Sequence, residues 1–583
     1  MLVWLVFCDN NNMQRRATVS NSPRPSRLRA SHKRPLQATM NKNVVEEELS
    51  LEGNSPVEFV PEVGKSAAMM SVLIIISRVT GFFRTWAQAF ALGVSWIASC
   101  YTVANNLPNQ LYELVIGGML VTAFLPVYVG VRKKAGKEGV SAYASNLLSI
   151  IALLMGAATV LGIIFAYPLV MTQSFGAAQD FNHDVATYFF RFFAVEILLY
   201  ALSSLFSGVL NAERHYFWST AAPIFNNIIC ILSFVGYAFV APLNQGLAFL
   251  ILAIGNPLGV LVQVVMQLPS LKRLGIKLSW RVNLKDPALK ETVALGVPSL
   301  IVTLGIFVFV SVQSSCALSV TASGSAISYY ARLWYTLPYS VIVVPISTAL
   351  FTELSAAITA KATRDFKRLV HDGLIQILFY LIPLTGLLIL FSPQLIGILN
   401  SGKFTTEEFQ DCVSFLMVLA TALPFYGLSV FIQKIFSSCR HLALFAVADI
   451  VSTAVGIAFC VFFTPSVGLN VVAFSNTVGF VGLCFICLYF LQKTYGHFGL
   501  KSMLFDALKI CGYGIICVGV AFAILIVLQL APVLAPNTPV VSLVKILIAG
   551  VPAVAAFIVF AYKARLAGGE YLYKMFARRK SST

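Results

Sequence analysis

The sequence predicts an all-α polytopic membrane protein of about fourteen transmembrane helices, built as two parallel six-helix lobes plus two C-terminal helices. Three observations carry that prediction. Of 583 residues, 58% are hydrophobic and 11% charged, whereas a soluble chain averages about 25% charged. Mean hydropathy is +0.82, and apolar runs of about 20 residues recur along the chain, as bilayer-spanning helices require. Basic residues cluster between alternate runs, the pattern of cytoplasmic loops.

Residues 1–66 are rich in Arg, Ser, Asn and Pro, then turn acidic at "VEEELSLEG". This composition predicts a disordered cytoplasmic tail. The opening "MLVWLVF" is short for a signal-peptide core and has no basic residue before it; Met13 and Met40 are alternative starts. The predicted spans follow at 68–92, 97–130, 144–172, 184–212, 217–241, 244–268, 289–315, 322–357, 367–392, 409–433, 441–465, 469–492, 505–530 and 541–564. With the N-terminus inside, the even connections face the cytoplasm. They hold "RKKAGK", "ERH", "KRLGIKLSWRVNLK", "KATRDFKR", "CRH" and "KTYGHFGLK", and the tail 568–583 adds "KMFARRK". The odd connections hold Lys403 alone. This alternation predicts both termini in the cytoplasm.

The chain also repeats itself. "LLYALSSLFSGVLNAERHYFW" and "LPFYGLSVFIQKIFSSCRHLAL" align Tyr200 with Tyr426, Ser203 with Ser429 and Arg214-His215 with Arg440-His441. A second match pairs Pro108 with Pro338 and Thr122 with Thr352. Two parallel lobes follow, over 67–285 and 286–500, with 501–567 left as a two-helix appendage. Lobes of this kind usually enclose a substrate path.

Few ionisable residues fall inside the spans: Arg78 and Arg84 in span 1, Glu113 in span 2, Arg191 and Glu196 in span 4, Arg332 and Glu353 in span 8, and Asp449 in span 11. Each costs about 2.5–3.5 kcal/mol or more at mid-bilayer when unpaired, so each should face the interior or water. "SRVTGFFRT" holds the first two, with no acid between Glu62 and Glu113. In a straight helix Arg78 and Arg84 would point about 120° apart; Gly81 between them permits a bend. Span 2 reads "NNLPNQLYE", where Asn105, Asn106 and Asn109 surround the helix-kinking Pro108. The functional reading is a cationic cavity for an anionic, phosphate-bearing cargo, since guanidinium forks bind phosphate oxygens bidentately. The structural reading pairs Arg78 or Arg84 with Glu113. Arg191 and Glu196 are expected near the outer end of span 4 with a structural role, and Glu353 at a solvated end. Asp449 with Asn476 and Thr477 makes a candidate Na⁺ or proton site, or else a local cap.

Other classes fit poorly. The charge of +17 sits in loops rather than on a nucleic-acid-binding face. The cysteines lie mostly in apolar runs, and "CFIC" (Cys484, Cys487) reads as packing rather than a metal site. No phosphate loop, metal cluster or catalytic set appears, so neither an enzyme nor a cofactor is expected.

"SRVTGFFRT", "VANNLPNQLYELVIGGMLVTAFLPVY" and "ISYYARLWYTLPYSVIVVPISTALFTELSAA" resemble the MurJ (MviN) lipid II flippases of the multidrug/oligosaccharidyl-lipid/polysaccharide exporter superfamily. The resemblance covers about 67–567. It implies alternating-access transfer of a polyprenyl-diphosphate-linked peptidoglycan precursor across a bacterial inner membrane, driven by Na⁺, H⁺ or membrane potential. By the same resemblance Arg78 and Arg84 engage the diphosphate, Asn109 matches the family's asparagine, and the last two helices hold the lipid tail. Arg332 is a further candidate ligand, and Gly81, Pro108 and Pro338 are candidate hinges. The implied partners are the lipid-linked anion, membrane lipids and cell-wall synthesis enzymes. The sequence departs from the family's charged positions at Tyr112 and Gly117, lacks the family's acid near Ser99, and has Leu333 where the family's helix-8 arginine stands, one residue from Arg332. A polysaccharide-repeat flippase, a cation-coupled drug exporter and a non-transporting scaffold are the alternatives.

Overall fold

The computed structural model describes residues 61–114, 124–276, 278–531, 537–570 and 573. The chain divides into Met1–Lys65 and Ser66–Thr583. Of the first unit only the opening residues of a helix, from Pro61, are described; the expected tail otherwise lies outside the described residues, as does Gly117. The helical bundle belongs to the second unit.

Among the described residues every regular element is helical. In chain order the main helices are α1 Pro61–Leu92, α2 Trp96–Tyr112, α3 Leu125–Ile164, α4 His183–Phe193, α5 Val195–Ala212, α6 Tyr216–Val240 and α7 Gln245–Val265. They continue as α8 Pro287–Val320, α9 Gly324–Pro338, α10 Val344–Thr359, α11 Thr363–Leu390, α12 Thr406–Ala420, α13 Leu423–Ser438, α14 Leu442–Val467, α15 Leu469–Tyr495, α16 Leu500–Gln529 and α17 Pro539–Ala564. Twelve helical stretches are long and apolar enough to cross a membrane, and α12–α13, bent by 45°, make a thirteenth. Part of span 2, residues 115–123, lies outside the described residues. Its remainder runs into α3, where Gly136 at φ 62° breaks the helix within "RKKAGK"; only glycine adopts that conformation cheaply.

Side-chain caps start several helices. Ser95 accepts from the Ala98 N–H, Asn182 from Val185 and Asn244 from Leu247, each satisfying a donor the first turn leaves open. Thr405 and Glu408 form a reciprocal capping box on α12.

The internal repeat is a repeat of shape. Arg214 and Arg440 both adopt positive φ, 62° and 59°. The next amides, of His215 and His441, return to the Leu210 and Phe436 carbonyls at 2.8 and 2.9 Å. The same dipeptide ends α5 and α13 by the same turn. Pro338 also has a distinct backbone consequence: a π-helical turn over Tyr339–Val343 separates α9 from α10, a common device at functional bends.

Helices approach closely because small residues line their contacts. Ala87, Ala89, Ala98 and Ala104 are fully buried. A Cβ on Gly259 would come within 3.0 Å of the Asn226 carbonyl across α6–α7. The outward faces carry Phe462, Phe485, Ile515 and Val540, all strongly exposed, as a lipid-facing surface would be. Cys484 and Cys487 are buried in the core.

Candidate functional site

One end of the bundle is stitched across the chain. The Tyr330 hydroxyl donates to the Gly93 carbonyl at 3.0 Å, and the Ala326 amide donates to the Ser99 hydroxyl at 3.1 Å. The Lys403 ammonium donates to the Ala91 carbonyl at 2.8 Å. The last bond caps the C-terminal end of α1, where a cation is favoured. Ser99 thus serves as a neutral acceptor in a buried seam.

Below this seam, along α1, lies Arg84. Its Nη2 donates to Asn256 Oδ1 at 2.9 Å. Asn256 on α7 in turn donates its amide to Asn105 Oδ1 on α2. Arg84 Nε is buried with no hydrogen-bond partner. Tyr101, Tyr200 and Cys230 lie within its electrostatic reach, as does Tyr329 from α9. Among the described residues no ion pair reaches Arg84, so pairing with Glu113 does not occur. The bundle therefore holds a guanidinium faced by amides and hydroxyls, with donor capacity left over. A guanidinium with donors to spare has the chemistry to take an anion with several oxygens.

Arg78 has a different environment. It is exposed, and no hydrogen bond or ion pair engages it among the described residues. Its neighbours Ser77 and Thr80 instead hold α1 to α6, through Asn227 Nδ2 at 3.3 and 3.0 Å. α1 runs unbroken through Gly81. The two arginines, six residues apart on this one helix, have different surroundings, Arg78 exposed and Arg84 hydrogen-bonded inside the bundle.

Asn109 donates to the Asn105 carbonyl at 3.2 Å and lies beside Tyr200. Asn106 is half-buried. Pro108 sits inside α2 without ending it. At the departure Tyr112, the hydroxyl donates to Ser204.

Arg332 belongs to a second network that shares no partner with the first. Its Nη2 donates to Gln313 Oε1 at 2.7 Å and its Nε to Ser328 Oγ at 3.3 Å. Gln313 on α8 passes the contact to Ser475 on α15 at 2.8 Å. Tyr335 and Tyr426, stacked at 5.6 Å, border it. Displacement by one residue turns a helical side chain by about 100°, and the guanidinium here bonds Gln313 on α8 and, through it, is linked to α15.

The expected ion site does not assemble. Asn476 turns its amide back to the Val472 and Ala473 carbonyls. Thr477 meets Thr421 at 2.8 Å. Asp449 lies instead at the level of Cys487, eleven residues or about 16 Å along α15 from Asn476. Gly468 makes α14–α15 an antiparallel pair. Asp449 therefore lies opposite the far part of α15.

Glu196 also differs from expectation. It is fully buried, with the Tyr200 hydroxyl, four residues on, as its polar neighbour. Arg191, five residues earlier, is exposed. The span runs from His183 to Ala212 with a break at Ala194, which places Glu196 mid-span rather than at its end. The sequence signal was present, an acid well inside an apolar window, but nothing marks the break. Asn256 was also missed; an amide beside Pro257 in an apolar run was its signal.

An all-helical bundle with lipid-exposed flanks and an unpaired guanidinium in a polar interior defines a polytopic membrane transporter. The comparisons narrow the class. A family model, "Lipid II flippase MurJ", matches residues 88–549. The chain belongs to the lipid II flippase MurJ family. It is 26% identical over 459 residues to the probable lipid II flippase MurJ of Borreliella burgdorferi, covering 76% of this chain and 86% of that one. It is 26% identical over 368 residues to the lipid II flippase MurJ of Burkholderia cenocepacia, covering 62% and 69%. A solved lipid II flippase MurJ in an inward closed conformation superposes with a TM-score of 0.68 at 18% identity, covering 85% of this chain and 99% of that one. An inward-facing multidrug transporter of the MATE family in the MOP superfamily gives 0.61 at 14% identity, over 74% and 96%. At such identities these two likenesses bear on the fold alone.

Proposed function

We infer that this protein flips a polyprenyl-diphosphate-linked peptidoglycan precursor from the inner to the outer leaflet of a bacterial cytoplasmic membrane, with both termini in the cytoplasm. The observation that carries the reading is Arg84: a guanidinium inside the bundle, hydrogen-bonded to an amide, in no ion pair among the described residues and with its Nε lacking an acceptor. A drug exporter for cations would place an acid, not an arginine, toward its cargo. In our reading Arg84 takes the diphosphate, Asn105 and Asn109 border the headgroup, and Arg78 offers charge at the cytoplasmic approach. The seam of Gly93, Ser99, Tyr330 and Lys403 then closes the outer side, and lobes 67–285 and 286–500 rock about it, with Pro338 and its π-turn as one flexing point.

The lipid tail has a matching surface. An apolar groove of about 410 Å³ runs between α11 and α17, lined by Pro338, Leu387, Phe391, Ile546, Gly550 and Val554. Its contact with Pro338 links tail occupancy to the α9–α10 bend. The test is depletion of the protein in its host followed by a leaflet-accessibility assay for lipid II. Accumulation on the inner face is expected; undiminished exposure on the outer face would refute the reading.

A further inference from the structure

We propose that the connector between the two lobes is a docking site for anionic phospholipid headgroups, seating Trp280, Val282 and Leu284 in the membrane surface and offering basic residues to the phosphates. The orientation given above enters only in making that surface the cytoplasmic one.

The connector "KRLGIKLSWRVNLK", 272–285, holds five basic residues and no acid. It is pinned to α3. The Ser279 amide donates to Ser145 Oγ at 3.0 Å, the Arg281 amide to Ser149 Oγ at 2.9 Å and the Asn283 amide to Asn146 Oδ1 at 2.7 Å. Asn146 Nδ2 returns to the Asn283 carbonyl at 2.9 Å and to Asp286 Oδ2 at 3.2 Å. Asp286 in turn caps α8 through the Ala288 amide. All three α3 partners are buried. Their order, 145, 149, 146, reverses while the connector advances four residues, about 13 Å in an extended chain. The partners themselves span about 6 Å along α3. The connector therefore crosses α3 rather than following it. The crossing falls at the first turns of span 3 and just ahead of span 7, the level at which hydrocarbon gives way to headgroups.

Bonds at alternate amides mark an extended backbone, in which successive side chains take opposite faces. Trp280, Val282 and Leu284 share one face and are 69%, 47% and 67% exposed. Apolar residues exposed singly need no explanation; three in register on a pinned strap form a face. Its largest member suits a membrane–water boundary, because an indole is apolar apart from one N–H donor. Arg281 and Lys285 are exposed beside this face, and Lys272 and Arg273 are exposed in the last turn of the short helix Leu268–Arg273 that precedes it. Among the described residues none of these four cations is in an ion pair. Each such charge favours an anionic surface by about fivefold. A protein segment is the competing occupant. It would have to bring both acids and an apolar face to the plane of the bilayer, where anionic lipid already supplies both.

The experiment uses the full-length protein in nanodiscs of phosphatidylcholine, alone or with about one third phosphatidylglycerol. A nanodisc offers both leaflets alike, so the outcome does not depend on the orientation. The emission of Trp280 is the difference between wild type and Trp280→Phe, a change at an exposed side chain that leaves the backbone bonds to α3 in place. With phosphatidylglycerol this emission should move to shorter wavelength and lose at least about half its intensity to lipids brominated high on the chain. It should also be at least about twofold less open to acrylamide than in phosphatidylcholine. Lys272→Gln, Arg273→Gln, Arg281→Gln and Lys285→Gln combined should abolish the difference between the two lipids. High salt should do the same to the wild type, an arm that stands if the variant fails to fold. A Trp280 equally open to acrylamide in both lipids, as in a connector that waits for a protein, overturns the proposal. Quenching by brominated lipid that is the same with and without phosphatidylglycerol shows apolar contact alone and overturns it as well.

Discussion

Tyr330→Phe keeps a fully buried ring, stacked on Phe404 at 6.0 Å, and removes only the hydroxyl that donates to the Gly93 carbonyl at 3.0 Å. Removing one partner of a buried hydrogen bond costs about 1–3 kcal/mol. Lys403→Met keeps the length of the side chain and removes a charged donor from the Ala91 carbonyl at 2.8 Å, worth about 1.5–3 kcal/mol. Both bonds join the end of α1 to distant parts of the chain. If they hold this end closed, either loss raises the open population by about 5- to 150-fold, since 1.4 kcal/mol is tenfold. The reporter is Val94→Cys, at a position 1% exposed next to Gly93. A membrane-impermeant maleimide added from outside, with modification at this position read by mass spectrometry, follows the open state. Its rate should rise by that factor in each variant, and less than multiplicatively in the double variant because the sites are neighbours. An unchanged rate in the double variant, with thermal stability retained, would refute the reading of the seam as a closure.

Three further outcomes are expected. Arg84→Lys keeps the charge but loses the fork and the geometry of the Asn256 contact, so diphosphate affinity should fall by about tenfold or more, whereas Arg78→Lys should change it by less than about threefold; competition binding with farnesyl diphosphate checks both. Gly324→Ala drives a Cβ into the Ala317 carbonyl, a backbone clash that should cost about 1–3 kcal/mol and lower the thermal midpoint in detergent. Gly550→Phe fills the α11–α17 groove beside Phe391 and should weaken binding of a long-chain polyprenyl diphosphate while leaving that of farnesyl diphosphate unchanged.

The site shows where side-chain pattern was enough and where it was not. An arginine in an acid-free apolar span announces itself, and Arg84 with Asn105 and Asn109 was legible from "SRVTGFFRT" and "NNLPNQLYE". The partner that completes the network, Asn256, comes from more than 150 residues away, and no local pattern reaches that far. Arg332 was legible as a buried cation but not in its direction, because a step of one residue rotates a side chain through more than a quarter turn.

By itself the sequence determined that the chain spans a membrane many times and that one half echoes the other; twelve or thirteen of the fourteen expected spans are found among the described residues. Hydropathy is a property of windows about twenty residues long, and turn residues such as Arg214 and Arg440 act locally. Only the tertiary structure decided that Arg84 turns inward while Arg78 does not, that Asp449 stands apart from Asn476, and that Glu196 is sealed in mid-span. Those outcomes depend on how each helix is rotated and on what its neighbours present, and both are settled when the bundle packs.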